Sequence, residues 1–143
     1  MITDKNLRVS TAQAVTTTAV STDSIDLLQA REIGEGADLF FVFTVGTAFS
    51  GGTSITFQIV TDDNDSLSSP TVVAATGAIL TASLTAAAQF IVPIPPQIAS
   101  LGERYLGAQY TVSGTYSAGT VTADVVHNIQ DGKKFYPSGF TVA

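Results

Sequence analysis

Reactive chemistry needs nucleophiles, bases or metal ligands gathered at suitable spacing, and this sequence offers few of them. It contains one histidine, His127, and no cysteine. His127 falls at the end of a predicted strand, and Asp124, three residues earlier, lies on the opposite face of that strand. A Ser-His-Asp arrangement would need its members to converge from elsewhere, and a structural histidine is the simpler reading. The segment Gly114-Thr115-Tyr116-Ser117-Ala118-Gly119 approaches the nucleophile pattern Gly-x-Ser-x-Gly, but Thr115 stands where the first glycine is required.

The acidic run Thr61-Asp62-Asp63-Asn64-Asp65-Ser66 raises calcium, because carboxylate and carbonyl oxygens are its ligands. With Asp62 as first ligand, Asn64 and Ser66 fall correctly. Leu67 replaces the required glycine and Val73 the closing glutamate, so this is not an EF-hand loop. A looser site built from Asp62, Asp63 and Asp65 stands beside the commoner alternative, a solvated turn held by Asx hydrogen bonds. A sugar platform would use exposed aromatics, yet there is no Trp and most of the eight Phe fall on buried faces. Tyr105 and Tyr116 are the two tyrosines expected to be able to face solvent. No catalytic residue, cofactor or metal site is assigned on these grounds.

Composition narrows the partners. Charged residues make up 13% of the 143, against about a quarter in an ordinary soluble domain, while Ser and Thr are plentiful. Weak repulsion between copies suits a chain that works in an assembly. The net charge is −6 and the six Lys and Arg are scattered apart from Lys133-Lys134, which argues against a nucleic-acid partner. No run approaches the roughly 18 apolar residues of a membrane helix, and the first thirty residues hold no signal-peptide core. The expectation is one domain over 1–143, made in the cytoplasm, without a membrane partner, with an N-terminal arm over 1–8 and a C-terminal tail over 130–143.

The elements that would carry any site are strands. Ile55, Phe57 and Ile59 alternate with Ser54, Thr56 and Gln58, the period of a strand with one buried face. Leu39, Phe41, Phe43 and Val45 form one apolar face of the preceding run, and Phe40 and Val42 make its other face apolar too, as in a strand covered on both sides. Gly51-Gly52 between these runs predicts a long hairpin, and a second hairpin is expected to join Arg104–Ser113 to Thr120–Asn128 through Gly114–Gly119. Residues 10–24 form a weak strand, Ser24–Leu28 a better one, and Val72–Ala75 another. Ile79–Ala88 fits one or two helical turns as well as it fits a strand. Pro93 confines Gln89–Ile94 to a sheet edge or to the end of a strand. The sum is an all-β chain of about eight or nine strands with little helix, an antiparallel two-sheet sandwich of jelly-roll type.

Several of these residues taken together resemble a known family. Gln58–Thr71, Thr76-Gly77-Ala78-Ile79, Ala12-Gln13-Ala14-Val15, Ser24-Ile25-Asp26-Leu27, Val92-Pro93-Ile94-Pro95-Pro96 and Arg104–Gly114 occupy the chain in the order seen in the capsid cement (decoration) proteins of tailed bacteriophages. The jelly-roll type of short-tailed phages is the nearest. The resemblance implies a non-enzymatic virion protein, a homotrimer on the outer capsid surface that clamps neighbouring major capsid protein subunits. The chain departs from the pattern in an aromatic-rich extension, Lys133–Ala143. Expected contacts with capsid or sister subunits are Ile2, Leu7 and Arg8 in the arm, Phe40 and Val42 on the second apolar face, and Phe135, Tyr136 and Phe140 in the tail. The competing expectation is a glycan- or receptor-binding sandwich of a phage fibre or a secreted lectin-like protein.

Overall fold

A computed structural model of the chain describes residues 3–33, 38–95, 101–127 and 129. Among these, ten strands follow in order: β1 (Arg8–Ala14), β2 (Ala19–Val20), β3 (Ile25–Asp26), β4 (Leu39–Val45), β5 (Ser54–Asp62), β6 (Thr71–Ala75), β7 (Ile79–Leu80), β8 (Gln89–Pro93), β9 (Tyr105–Ser113) and β10 (Thr120–His127). They form two antiparallel sheets. The first runs β1-β10-β4-β8; in the second, β9 and β5 are central, β2 and β3 succeed one another along β9, and β7 and β6 along β5. The pairings nest, first strand with last and each inner strand with its counterpart: β1 with β10, β2/β3 with β9, β4 with β8, β5 with β6/β7. A long hairpin rolled up in this way, closed by β10 on β4 and β9 on β5, is a jelly roll.

Alternation places the core where the sequence expects it. Ile55, Phe57 and Ile59 of β5, Leu106, Ala108 and Tyr110 of β9, and Val121, Ala123 and Val125 of β10 all point into one buried cluster with Phe41, Phe43 and Val45 of β4. Rings from the two sheets meet there. Phe43 stacks on Phe57 at 4.9 Å between centroids, Phe57 on Phe90 at 5.3 Å, and Tyr110 stands edge-on to both Phe43 and Phe57. The Tyr110 hydroxyl donates to Ser10 Oγ at 2.7 Å, and Ser10 Oγ to Gln13 Oε1 at 2.7 Å, while Gln13 Nε2 donates to the Val20 carbonyl. This chain of bonds ties β9 of one sheet to β1 of the other and satisfies groups that would otherwise be unpaired in the core. Burial pushes the Tyr110 hydroxyl well above its ordinary pKa, so it acts as a donor at all working pH values.

Both expected hairpins are corrected. β4 and β5 lie in opposite sheets, as do β9 and β10, so each connection crosses the sandwich instead of turning within a sheet. Residues 46–53 reach easily across the ~10 Å between sheets. The two crossing loops also brace one another: Gly46 N–H donates to the Thr120 carbonyl, Ser50 N–H to that of Ala118, and Ser117 N–H back to that of Ser50. Tyr116, expected among the solvent-facing tyrosines, is buried for the same reason. Its ring meets Phe49 edge-on at 5.0 Å between the loops, and its hydroxyl is 2.8 Å from Thr81 Oγ1.

Two further expectations change. Ile79–Ala88 is neither a long helix nor a full strand but β7 followed by a 3-10 turn at Thr81–Ser83. The arm is ordered from Asp4, whose side chain accepts the Asn6 N–H at 2.9 Å and caps a 3-10 turn at Lys5–Leu7 that leads directly into β1.

Gly119 turns the second crossing loop into β10 at φ +143, and a β-carbon there would overlap the Phe49 ring. Gly119→Ala is therefore expected to cost about 3 kcal/mol, from left-handed strain and overpacking together. Gly77, where a β-carbon would meet no atom within 4 Å, provides the control. Gly77→Ala should leave the thermal unfolding midpoint unchanged while Gly119→Ala lowers it by roughly 10 °C.

Candidate functional site

The acidic loop is a scaffold. Asp62, at the end of β5 and only 2% exposed, accepts the Ser69 N–H on Oδ2 at 2.7 Å and the Asn64 N–H on Oδ1 at 3.2 Å. Burial opposes its ionisation, but these amide donors outweigh burial and hold the carboxyl below its usual range. Asn64 Oδ1 in turn accepts the Ser66 N–H, and the Asn64 carbonyl the Leu67 N–H. The loop thus delivers Leu67, at φ +50, onto the bare backbone of Gly107, where a β-carbon would collide with it. Among the described residues no three His, Asp or Glu side chains gather as a metal-binding group.

His127 is exposed at the end of β10 opposite Leu39. Asp124 serves Arg8 instead: Nε donates to Oδ1 at 2.7 Å across β1 and β10, and the hydrogen bond and the charge of Asp124 both raise the Arg8 pKa. Arg8 is therefore engaged within the chain. Leu7 beside it is 37% exposed. Phe40 is half-buried and Val42 is 1% exposed, so Val42 offers no accessible surface to a partner. Ile2, Phe135, Tyr136 and Phe140 lie outside the described residues.

The outer faces of the two sheets differ in character. On the second sheet, β5 and β9 place Ser54 opposite Ser113, Thr56 opposite Thr111 and Gln58 opposite Gln109. These three matched rows carry no charge and are rich in hydrogen-bonding groups; Thr111 Oγ1 donates to Gln58 Oε1 at 2.7 Å. On the first sheet a group of outward residues is apolar. Val42 pairs with Ile91, and Phe40 with Val126 and Pro93.

At the end of the sandwich where β3 meets β9, Asp26 organises an exposed feature that sequence reasoning misses. Its carboxylate accepts Arg104 Nε and Nη2, each at 2.6 Å, and Oδ1 also accepts the Leu28 N–H at 2.7 Å. The guanidinium lies over Tyr105, 5.2 Å from its ring centroid. Leu28 is held at φ +68, a conformation costly for a branched residue, and its side chain is 68% exposed. Leu101, three residues before Arg104, is 43% exposed. An apolar side chain held out under backbone strain is what a contact surface requires and a core does not. No sequence pattern marks Leu28, since its strain comes from an Asp26–Arg104 pair 78 residues apart.

The hydrogen bond from Arg104 holds the Asp26 carboxyl at about 2. Because this lies below the unfolded value near 4, the pair's contribution is complete above that value and is lost as pH falls through the folded one. A carbon-detected NMR titration should find the Asp26 midpoint near 2. Arg104→Ala should return it most of the way to the ordinary aspartate value, and a midpoint that stays low would exclude the guanidinium as the cause.

No curated protein matches this chain in sequence. Residues 9–125 match the Bbp16 family model, a span that runs from β1 to within two residues of the end of β10. With the match covering nearly the whole jelly roll, the chain belongs to the Bbp16 family.

Proposed function

We propose that the protein is a structural virion component that binds the outer surface of an assembled phage capsid as a homotrimer and stabilises contacts between major capsid protein subunits. The observation that carries this reading is the nested jelly-roll strand order, which is the fold implied by the resemblance to capsid cement proteins. The mechanism is linkage. A protein that contacts only the assembled lattice stabilises it by mass action, about 2.7 kcal/mol per site at a free concentration one hundred times Kd. Attachment at three symmetric points converts a modest single-site affinity into near-permanent occupancy. The contacts are made by apolar side chains that the single chain leaves exposed, Leu7, Leu28 and Leu101. Arg8 and Val42, already engaged within the chain, do not carry them.

A glycan- or receptor-binding module is the second reading. The uncharged Ser, Thr and Gln rows on β5 and β9 favour it, because hydroxyl-rich ligands are met by such groups. Burial of Tyr110 and Tyr116 removes two of the four tyrosines from any stacking platform.

Capsids depleted of this protein, mixed with the purified chain, should take it up saturably and gain thermal stability, with density on the outer shell by electron microscopy. Leu28→Ser should weaken single-site binding about tenfold or more, the value of one buried leucine. A chain that stays in the supernatant with intact heads overturns the proposal, and a positive glycan screen alongside that result would establish the second reading.

A further inference from the structure

The outer face of the β1-β10-β4-β8 sheet is buried without being core. Val42 and Val126 are 1% and 2% exposed, yet neither belongs to the buried cluster between the sheets. Both point the other way, alternating with Phe41, Phe43 and Val125, which do belong to it. Phe40 and Ile91 on the same outward face are half-buried. This burial holds in the isolated chain, so the cover is supplied by the chain itself and not by a second copy or another protein.

The described segments do not account for it. The 3-10 turn Lys5–Leu7 contacts β10, but three residues do not extend across β10 and β4 together. The internal segments 34–37 and 96–100 are short, tethered at both ends, and contain a single large aliphatic residue, Ile98. The chain beyond β10 is different. β10 ends at His127, beside Leu39 at the start of β4, on the sheet in question. Residues 130–143 follow, with Phe135, Tyr136 and Phe140 among them. Extended, such a segment spans on the order of 45 Å, against ~27 Å for a strand the length of β10. It is long enough to turn back and run the full length of the sheet.

We propose that the C-terminal segment 130–143 lies across the outer face of the β1-β10-β4-β8 sheet of its own chain, where Phe135, Tyr136 and Phe140 cover Val42, Val126, Phe40 and Ile91. This explains why β4 is apolar on both faces: it is packed from both sides within one molecule. It also assigns the tail aromatics to the protomer's own stability and leaves external contact to the exposed leucines. The inference stands independently of the capsid reading, since it concerns the free protein.

The absence of cysteine makes the test direct. Val42→Cys introduces a single thiol on the outer face, and Val121→Cys one in the core, each read by its rate of reaction with a water-soluble disulfide reagent. In the full chain both thiols should react slowly and at a rate independent of protein concentration. Adding Phe135→Ser, Tyr136→Ser and Phe140→Ser should accelerate the position-42 thiol at least tenfold and leave the position-121 thiol unchanged. If the triple change also exposes the core thiol, the single changes Phe135→Ser and Phe140→Ser make the same comparison in a folded background. An unchanged rate at position 42 overturns the proposal. So does protection that Ile2→Ser removes instead, which would place the N-terminus on the face, or protection that fades on dilution, which would place another copy's tail there.

Discussion

The contact between Phe43 and Phe57 is the constraint on which the rest of the jelly roll depends. One ring comes from β4 and the other from β5, in opposite sheets, stacked 4.9 Å apart. Phe41 and Phe90 extend the stack within the first sheet's inner face, and Tyr110 closes it edge-on from the second. Each such pair is worth about 1 kcal/mol beyond the area it buries. Their geometric consequence is larger than that energy, because the stack sets the separation at which every other inward residue must fit. Tyr110 then carries the constraint outward: its hydroxyl reaches Ser10, Ser10 reaches Gln13, and Gln13 holds the Val20 carbonyl, so the corner between β1 and β2 is fixed from the aromatic core.

That corner shows why part of the fold is legible in the sequence and part is not. β5, β9 and β10 alternate, and their inward sets can be read residue by residue. β1 contains Ala12 at φ +44 and register shifts at two places, and a strand with that irregularity breaks its own period. Alternation also reports which face of a strand is buried and not which strand lies beside it. Two connections with turn-like glycines therefore read as hairpins, when their strands face each other across the core. Tyr116 escapes the pattern because what buries it is a missing atom elsewhere: a β-carbon on Gly52 would occupy the position of its ring.

The candidate contact residues divide along the same line. Pattern alone indicates that Phe40 and Val42 need cover on a second face. It does not reveal that Val42 is covered within the chain, nor that Arg8 is engaged by Asp124, 116 residues away. Leu28 carries no signal at all. Its prominence arises from a carboxylate that accepts from a distant guanidinium and from a local amide at once, and long-range pairs of that kind leave no mark on periodicity or composition.

A charge-poor sandwich is exposed to one hazard above others, edge-to-edge strand pairing, because it lacks the lysines that commonly guard sheet edges. Here geometry takes over that role along the described edges. β1 is bulged, and β8 is short and ends in Pro93, which has no N–H to offer. β2 and β3 are two residues each, and β6 pairs with β5 through a register shift. With the edges closed, association is directed to faces and loop ends. There the molecule presents three distinct surfaces: the uncharged rows of β5 and β9, the apolar face of β4 and β10, and the strained Leu28 turn. Val42 and Val126 on the apolar face are already buried within the chain, and the uncharged rows supply hydrogen bonds that water also makes. At the Leu28 turn the backbone strain is met by no burial of the side chain it displays, which makes it the place where an external partner has the most to gain.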